Sequence, residues 1–110
     1  MSATQLYEDA VSLLKQLIAT QSFSKEEDLT AAIIEGWLKD RGVETKRKGN
    51  NIWAYNKHFS SDKPTILLNS HHDTVKPNQN YTRDPFLAEV EDGKLYGLGS
   101  NDAGGAVVSL

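Results

Sequence analysis

The hydrophobic period of this chain changes once, and that change restricts the fold more than any other feature of the sequence. Over Thr4 to Ala19 the apolar side chains Leu6, Ala10, Leu13, Leu14, Leu17 and Ile18 recur at the one-face spacing of a helix. Gln21 to Phe23 interrupt the run. Ser24-Lys25-Glu26-Glu27 then matches a capping box, a hydroxyl with a glutamate three residues on. It predicts a second helix with Leu29, Ile33, Ile34, Trp37 and Leu38 on one face, ended by Gly42 as a left-handed terminator. Beyond Gly42 the pattern is that of strands. Val43 to Lys48 and Asn51 to Asn56 flank the turn Lys48-Gly49-Asn50. Thr65 to Asn69 is a short continuous apolar run, as in a strand buried on both faces. A loop from Lys76 to Pro85 leads to a hairpin, Phe86 to Glu91 and Lys94 to Gly97, turning at Asp92-Gly93. Helices, then strands, then an incipient helix predict an α/β layer architecture, with helices packed on a mixed sheet.

The chain has 110 residues, enough for one small core and too few for a second full domain. Its 38% hydrophobic and 25% charged fractions are those of an ordinary globular chain and argue against wholesale disorder. Twelve basic against fifteen acidic residues give a net charge of −3, too mild to suggest a nucleic-acid or anionic-membrane partner. No segment reaches the ~20 apolar residues of a membrane span. The N-terminus lacks the basic and apolar regions of a signal peptide, so a cytoplasmic location is expected. The absence of cysteine excludes disulfides, thiolate metal ligands and a thiol nucleophile. A metal would have to be held by His, Asp and Glu.

Two stretches could carry chemistry. The first is Ser70-His71-His72-Asp73-Thr74-Val75, directly after the apolar run. In extended chain His71 and Asp73 share a face, and His72 points to the other. An imidazole that ligates a metal through one nitrogen usually gives its other N–H to a carboxylate or carbonyl, which suits His71 as ligand and Asp73 as its partner. By itself the triplet is a weak signal, and two surface histidines beside an acidic turn residue are its ordinary reading. The second stretch is Gly97-Leu98-Gly99-Ser100-Asn101-Asp102-Ala103-Gly104-Gly105. Its glycines mark backbone that approaches something closely, and Asp102 stands at the start of the last apolar run. A dinucleotide-binding loop is disfavoured, because Asp102 replaces the third glycine and would repel a pyrophosphate. His58 reads as solvated, Trp37 as core, Trp53 and Tyr55 as packing residues along a strand, and Lys46-Arg47-Lys48 as a solvated strand edge.

Together the two stretches resemble the co-catalytic zinc peptidase family of acetylornithine deacetylase, succinyl-diaminopimelate desuccinylase and carboxypeptidase G2. Leu67 to Val75 resembles that family's first zinc motif. Asp84-Pro85-Phe86, followed by Asp92 to Asp102, resembles the approach to its second. The resemblance implies that His71 ligates one zinc ion and that Asp102 bridges two. Asp73 would be the catalytic aspartate that orients His71. It also implies a cis peptide between Asp102 and Ala103. Three positions depart from the family pattern: Lys76 precedes Pro77, Leu98 stands where arginine is usual, and Gly104 where lysine is common. None is a metal ligand. Ser70 to Pro77 looks most like the acetylornithine deacetylase branch.

The family's general-base glutamate, its remaining ligands and its inserted dimerisation domain would all fall beyond Leu110. The terminal run Gly104 to Leu110 also reads as a buried helix cut off mid-element. Residues 1–110 are therefore expected to be the N-terminal part of the zinc-binding catalytic domain, inactive alone. The whole protein would be a homodimer that hydrolyses an N-acyl amino acid, foremost N-acetyl-L-ornithine, with two zinc ions or cobalt in their place. The rival readings are a di- or tripeptidase of the same family and a non-catalytic binding module that needs no metal.

Overall fold

The computed structural model describes all 110 residues. Helix α1 spans Ala3–Ala19, α2 spans Asp28–Asp40 and the short α3 spans Gly105–Ser109. Strands β1 (Lys46–Lys48) and β2 (Asn51–Trp53) form one antiparallel hairpin, and β3 (Glu89–Glu91) and β4 (Lys94–Tyr96) form another. Helices and small sheets together give the expected α/β class, with two separate antiparallel hairpins in place of the expected mixed sheet.

Helix α1 is capped by Ser2, whose Oγ accepts from the Gln5 N–H at 3.1 Å. It is the centre of the molecule, in contact with α2, with α3 and with the irregular turn Ser100–Gly104. The buried apolar side chains are Leu13, Leu17 and Ile18 of α1, Ala31 of α2 and Leu98 of the glycine loop. The predicted stripe of α1 is thus buried only towards its C-terminal end, and Leu6 in its first turns is exposed. Helix α2 ends as expected. Gly42 takes φ +75°, and its N–H donates to the Lys39 carbonyl.

The start of α2 differs from the capping-box expectation. Its first flanking residue is Glu27, and no side chain caps it. Ser24 lies upstream in a turn that the Glu26 N–H closes onto the Phe23 carbonyl at 2.8 Å. Lys25, with φ +73°, occupies the left-handed position of that turn. The Ser24 hydroxyl consequently faces away from the helix.

The hairpins pair Arg47 with Ile52 and Val90 with Leu95 at their centres. Asp92 and Gly93 both have positive φ, as a two-residue type I′ turn requires. Lys46 to Lys48 is an exposed strand, as expected. Trp53 and Tyr55 are exposed as well, contrary to the packing role read from the sequence. β2 stops at Trp53, and the Tyr55 ring meets Phe59 with centroids 4.5 Å apart. Trp37 is half-buried, with the Arg41 guanidinium 3.6 Å above its ring.

The largest departure concerns Thr65 to Asn69. It is neither a strand nor buried: Ile66 is 85% exposed and Leu67 81%. No backbone hydrogen bond joins it to another segment of the 110 residues. A strand exists only through its neighbours, and here the apolar run has none on either edge.

Candidate functional site

Just past this run, the chain is held in place by the turn before α2. The Thr74 N–H donates to the Ser22 carbonyl at 2.8 Å, and the Ser24 N–H donates to the Thr74 carbonyl at 3.1 Å. The buried Ser22 hydroxyl adds a bond to the His72 carbonyl at 3.0 Å. Residues 22–24 and 72–74 therefore run side by side as a parallel bridge centred on Phe23 and Thr74.

Alternation then separates the two histidines. His72 turns inward. Its Nε2–H donates to the Asn50 carbonyl at 2.9 Å, and its Nδ1 meets the hydroxyl of buried Thr30 at 2.7 Å. It thereby ties the segment to the start of α2 and to the β1–β2 turn. His71 turns outward together with Asp73, as their spacing requires. The His71 Nδ1–H reaches Asp73 Oδ1 at 3.1 Å and the Asp73 carbonyl at 3.2 Å. The other oxygen of Asp73 accepts from the Ser24 hydroxyl at 2.5 Å.

The glycine loop supplies the third member. The Leu98 N–H donates to the Pro85 carbonyl at 2.7 Å, which anchors the loop to the Asp84-Pro85-Phe86 element. The Phe86 ring in turn lies 6.3 Å from that of Phe23. Gly99 has φ +79°, and a Cβ there would fall 2.6 Å from the Thr74 methyl. Gly104 is equally constrained, since its Cβ would meet Leu14 at 2.5 Å and the Gly99 carbonyl at 2.6 Å. The loop can lie this close to α1 and Thr74 only because these positions lack side chains. Between them the peptide Asp102–Ala103 is cis, as the resemblance implied. Asp102 Oδ1 stands 3.0 Å from His71 Nε2.

His71 is thus placed between two carboxylates. Burial works against its charged form, but the Asp73 carbonyl, the Asp102 carboxylate and the charges of both outweigh it, so its pKa is raised. The Ser24 hydroxyl is the main reason that the Asp73 pKa is lowered. Burial opposes it, and the His71 charge adds to it. The His71 side chain is half exposed and that of Asp102 almost fully so, which leaves the site open on one side.

The three residues singled out in the sequence are therefore neighbours here. The donor types, one imidazole nitrogen and one carboxylate facing each other with a second carboxylate behind the ring, suit zinc. Their number falls short, because no group of three or more His, Asp or Glu side chains is gathered to hold an ion. Sequence reasoning missed Ser24, whose helix-cap signature concealed its bond to Asp73. It also missed the anchorage of His72, which rests on Thr30 and Asn50, both distant in sequence. The only sequence signal for either was the position of His72 on the inward face of the alternation.

No helix is long and apolar enough to cross a membrane. Residues 67–110 match the sequence pattern of peptidase family M20/M25/M40. Several curated proteins named succinyl-diaminopimelate desuccinylase are similar over most of this chain. That of Beijerinckia indica subsp. indica is 32% identical over 114 residues, covering 94% of this chain and 29% of its own length. That of Xanthomonas oryzae pv. oryzae is 35% identical over 108 residues, covering 93% and 28%. That of Blochmanniella floridana is 32% identical over 109 residues, covering 93% and 28%. The chain thus spans less than a third of the length of these relatives.

Proposed function

We propose that this chain, which is similar to peptidase family M20/M25/M40 over residues 67–110, is the N-terminal part of a metal-dependent hydrolase that cleaves the amide of an N-acyl amino acid. The observation that carries the reading is the placement of His71 between Asp73 and Asp102. Nε2 of His71 and the carboxylate of Asp102 would be the metal ligands, with Asp102 shared between two zinc ions or cobalt. When bound, such ions polarise an amide carbonyl and lower the pKa of a water towards about 7. Asp73 would be the catalytic aspartate. It fixes the imidazole by accepting its Nδ1–H, so that Nε2 points towards Asp102. The 110 residues offer two ligands where a catalytic zinc takes three from protein. We therefore read the chain alone as inactive. In this reading the full-length protein is a cytoplasmic homodimer acting on a small molecule.

The acyl group has two candidates. The names of the relatives favour N-succinyl-diaminopimelate. The run Ser70-His71-His72-Asp73-Thr74-Val75-Lys76-Pro77 favours N-acetyl-L-ornithine. The test offers both substrates, with added Zn²⁺, to the full-length protein. Succinate release abolished by His71→Ala supports the first, and acetate release abolished by the same change supports the second. No release from either, or release that survives His71→Ala, overturns the reading.

A further inference from the structure

We infer that Ser24 is a positioning residue of the candidate site: its hydroxyl locks the rotation of the Asp73 carboxylate and, through it, the orientation of the His71 ring. The inference deepens the function proposed above and rests on it where metal binding is concerned.

The two oxygens of Asp73 have separate partners. Oδ2 accepts from Ser24 Oγ, and Oδ1 accepts from His71 Nδ1. A carboxylate held at both oxygens has no freedom about its terminal torsion. Held only by His71 it would rotate, and the ring has a competing acceptor in the Asp73 carbonyl at 3.2 Å. Without Ser24 the imidazole could therefore settle on the carbonyl and swing Nε2 away from Asp102.

The backbone supports this assignment. The Ser24 N–H is bonded to the Thr74 carbonyl, so main chain and side chain of one residue hold the backbone of Thr74 and the carboxylate of its neighbour Asp73. The hydroxyl has no competing duty as a helix cap, because α2 begins at Asp28 without a side-chain cap. Lys25 adopts a left-handed conformation that non-glycine residues rarely take, in the turn that aims Ser24 at Asp73. A nucleophilic role for Ser24 does not fit. Its proton goes to Asp73 and not to the imidazole, whose two nitrogens face Asp73 and Asp102. Four side chains from three segments thus form one line, Ser24 to Asp73 to His71 to Asp102.

The test uses the full-length protein labelled with ¹⁵N-histidine, metal-free and at one fixed pH. Long-range ¹H–¹⁵N spectra report the ring nitrogens of both His71 and His72. His72, held by Thr30 and Asn50, is the internal control for folding. The expected result is that Ser24→Ala shifts the Nδ1 resonance of His71 and leaves His72 in place, and that Ser24→Thr, which keeps the hydroxyl, restores His71. An unmoved His71 in Ser24→Ala overturns the inference. So does a shift shared equally by His72, which would mark a general loosening. If Ser24→Ala does not fold, Ser24→Thr still decides: a wild-type His71 spectrum supports the inference, and a displaced one overturns it. Calorimetric titration with Zn²⁺ alone supplies the second arm, where Ser24→Ala should bind roughly tenfold more weakly than wild type. A wild-type protein that takes up no Zn²⁺ overturns the metal reading, whereas the His71 spectra then still support the hold of Ser24 on Asp73.

Discussion

His71 and Asp102 face each other at 3.0 Å although 31 positions separate them in the chain. The contact joins the segment after the apolar run to the glycine loop, so each side chain depends on the other's scaffold. If the pair belongs to a metal site, His71→Ala should remove more than about 100-fold of the Zn²⁺ affinity, since a ligand is lost outright. Asp73→Asn should cost about 10–100-fold, the usual effect of disturbing a ligand's hydrogen-bond partner. Calorimetry of the full-length protein checks both, and an Asp73→Asn protein that binds as tightly as wild type would refute the assigned order.

The metal-free protein should show a pH signature of the His71–Asp73 pair. The His71 pKa is raised above its ordinary 6.5, so its contribution to stability is complete below that value and is lost as pH rises through the folded pKa. The Asp73 pKa is lowered below its ordinary 3.8, so its contribution is complete above that value and is lost as pH falls through the folded pKa. The pair should therefore stabilise the fold most between 3.8 and 6.5. Urea midpoints of wild type and His71→Ala, compared across pH, should differ most in that window and converge above it. A difference that grows at alkaline pH would contradict the sign.

Gly99→Ala should damage both stability and site. The added methyl meets the Thr74 methyl at 2.6 Å on a backbone of φ +79°. A cost of about 1–3 kcal/mol is expected from the overpacking and the unfavourable φ. Thr74→Ala in the same protein should return only part of it, because it removes the clash and leaves the backbone term. Denaturant titration of the single and double variants measures the split.

Lys25→Gly should leave the protein as stable or raise its stability by up to about 1 kcal/mol. Lysine at φ +73° bears a left-handed penalty that glycine does not, partly offset by the larger entropy glycine loses on folding. Thermal unfolding decides it, and a clear destabilisation would mean that the lysine side chain itself matters.

Leu17→Ala should cost about 2–5 kcal/mol, because the residue is one of few in the core. Leu6→Ala, an equal truncation on an exposed part of the same helix face, should cost far less. The contrast between the two unfolding curves shows where the predicted stripe is actually covered.

What could be read from the sequence divides by distance along the chain. Both long helices follow from local periodicity, and both hairpins from turn chemistry such as Asp92-Gly93. The shared face of His71 and Asp73 follows from alternation alone. Asp102 is different, since no local pattern brings it to His71, and only the resemblance suggested the pairing. Ser24 was misread because a complete local signature competed with a bond to a residue 49 positions away, and the distant partner won. Thr65 to Asn69 was misread for the opposite reason. Its composition suits a buried strand, but burial needs a neighbour, and none of the 110 residues supplies one.

That bare run sets how the isolated chain should behave as a colloid. Ile66-Leu67-Leu68 is uncharged, wholly apolar and turned to solvent. Its free N–H and C=O groups offer a template that the same run on another copy can match edge to edge. A net charge of −3 supplies little repulsion against such pairing. Solubility, and not unfolding, should therefore limit the concentration at which the 110 residues can be kept in solution, and a charged side chain in place of Leu67 should raise that limit.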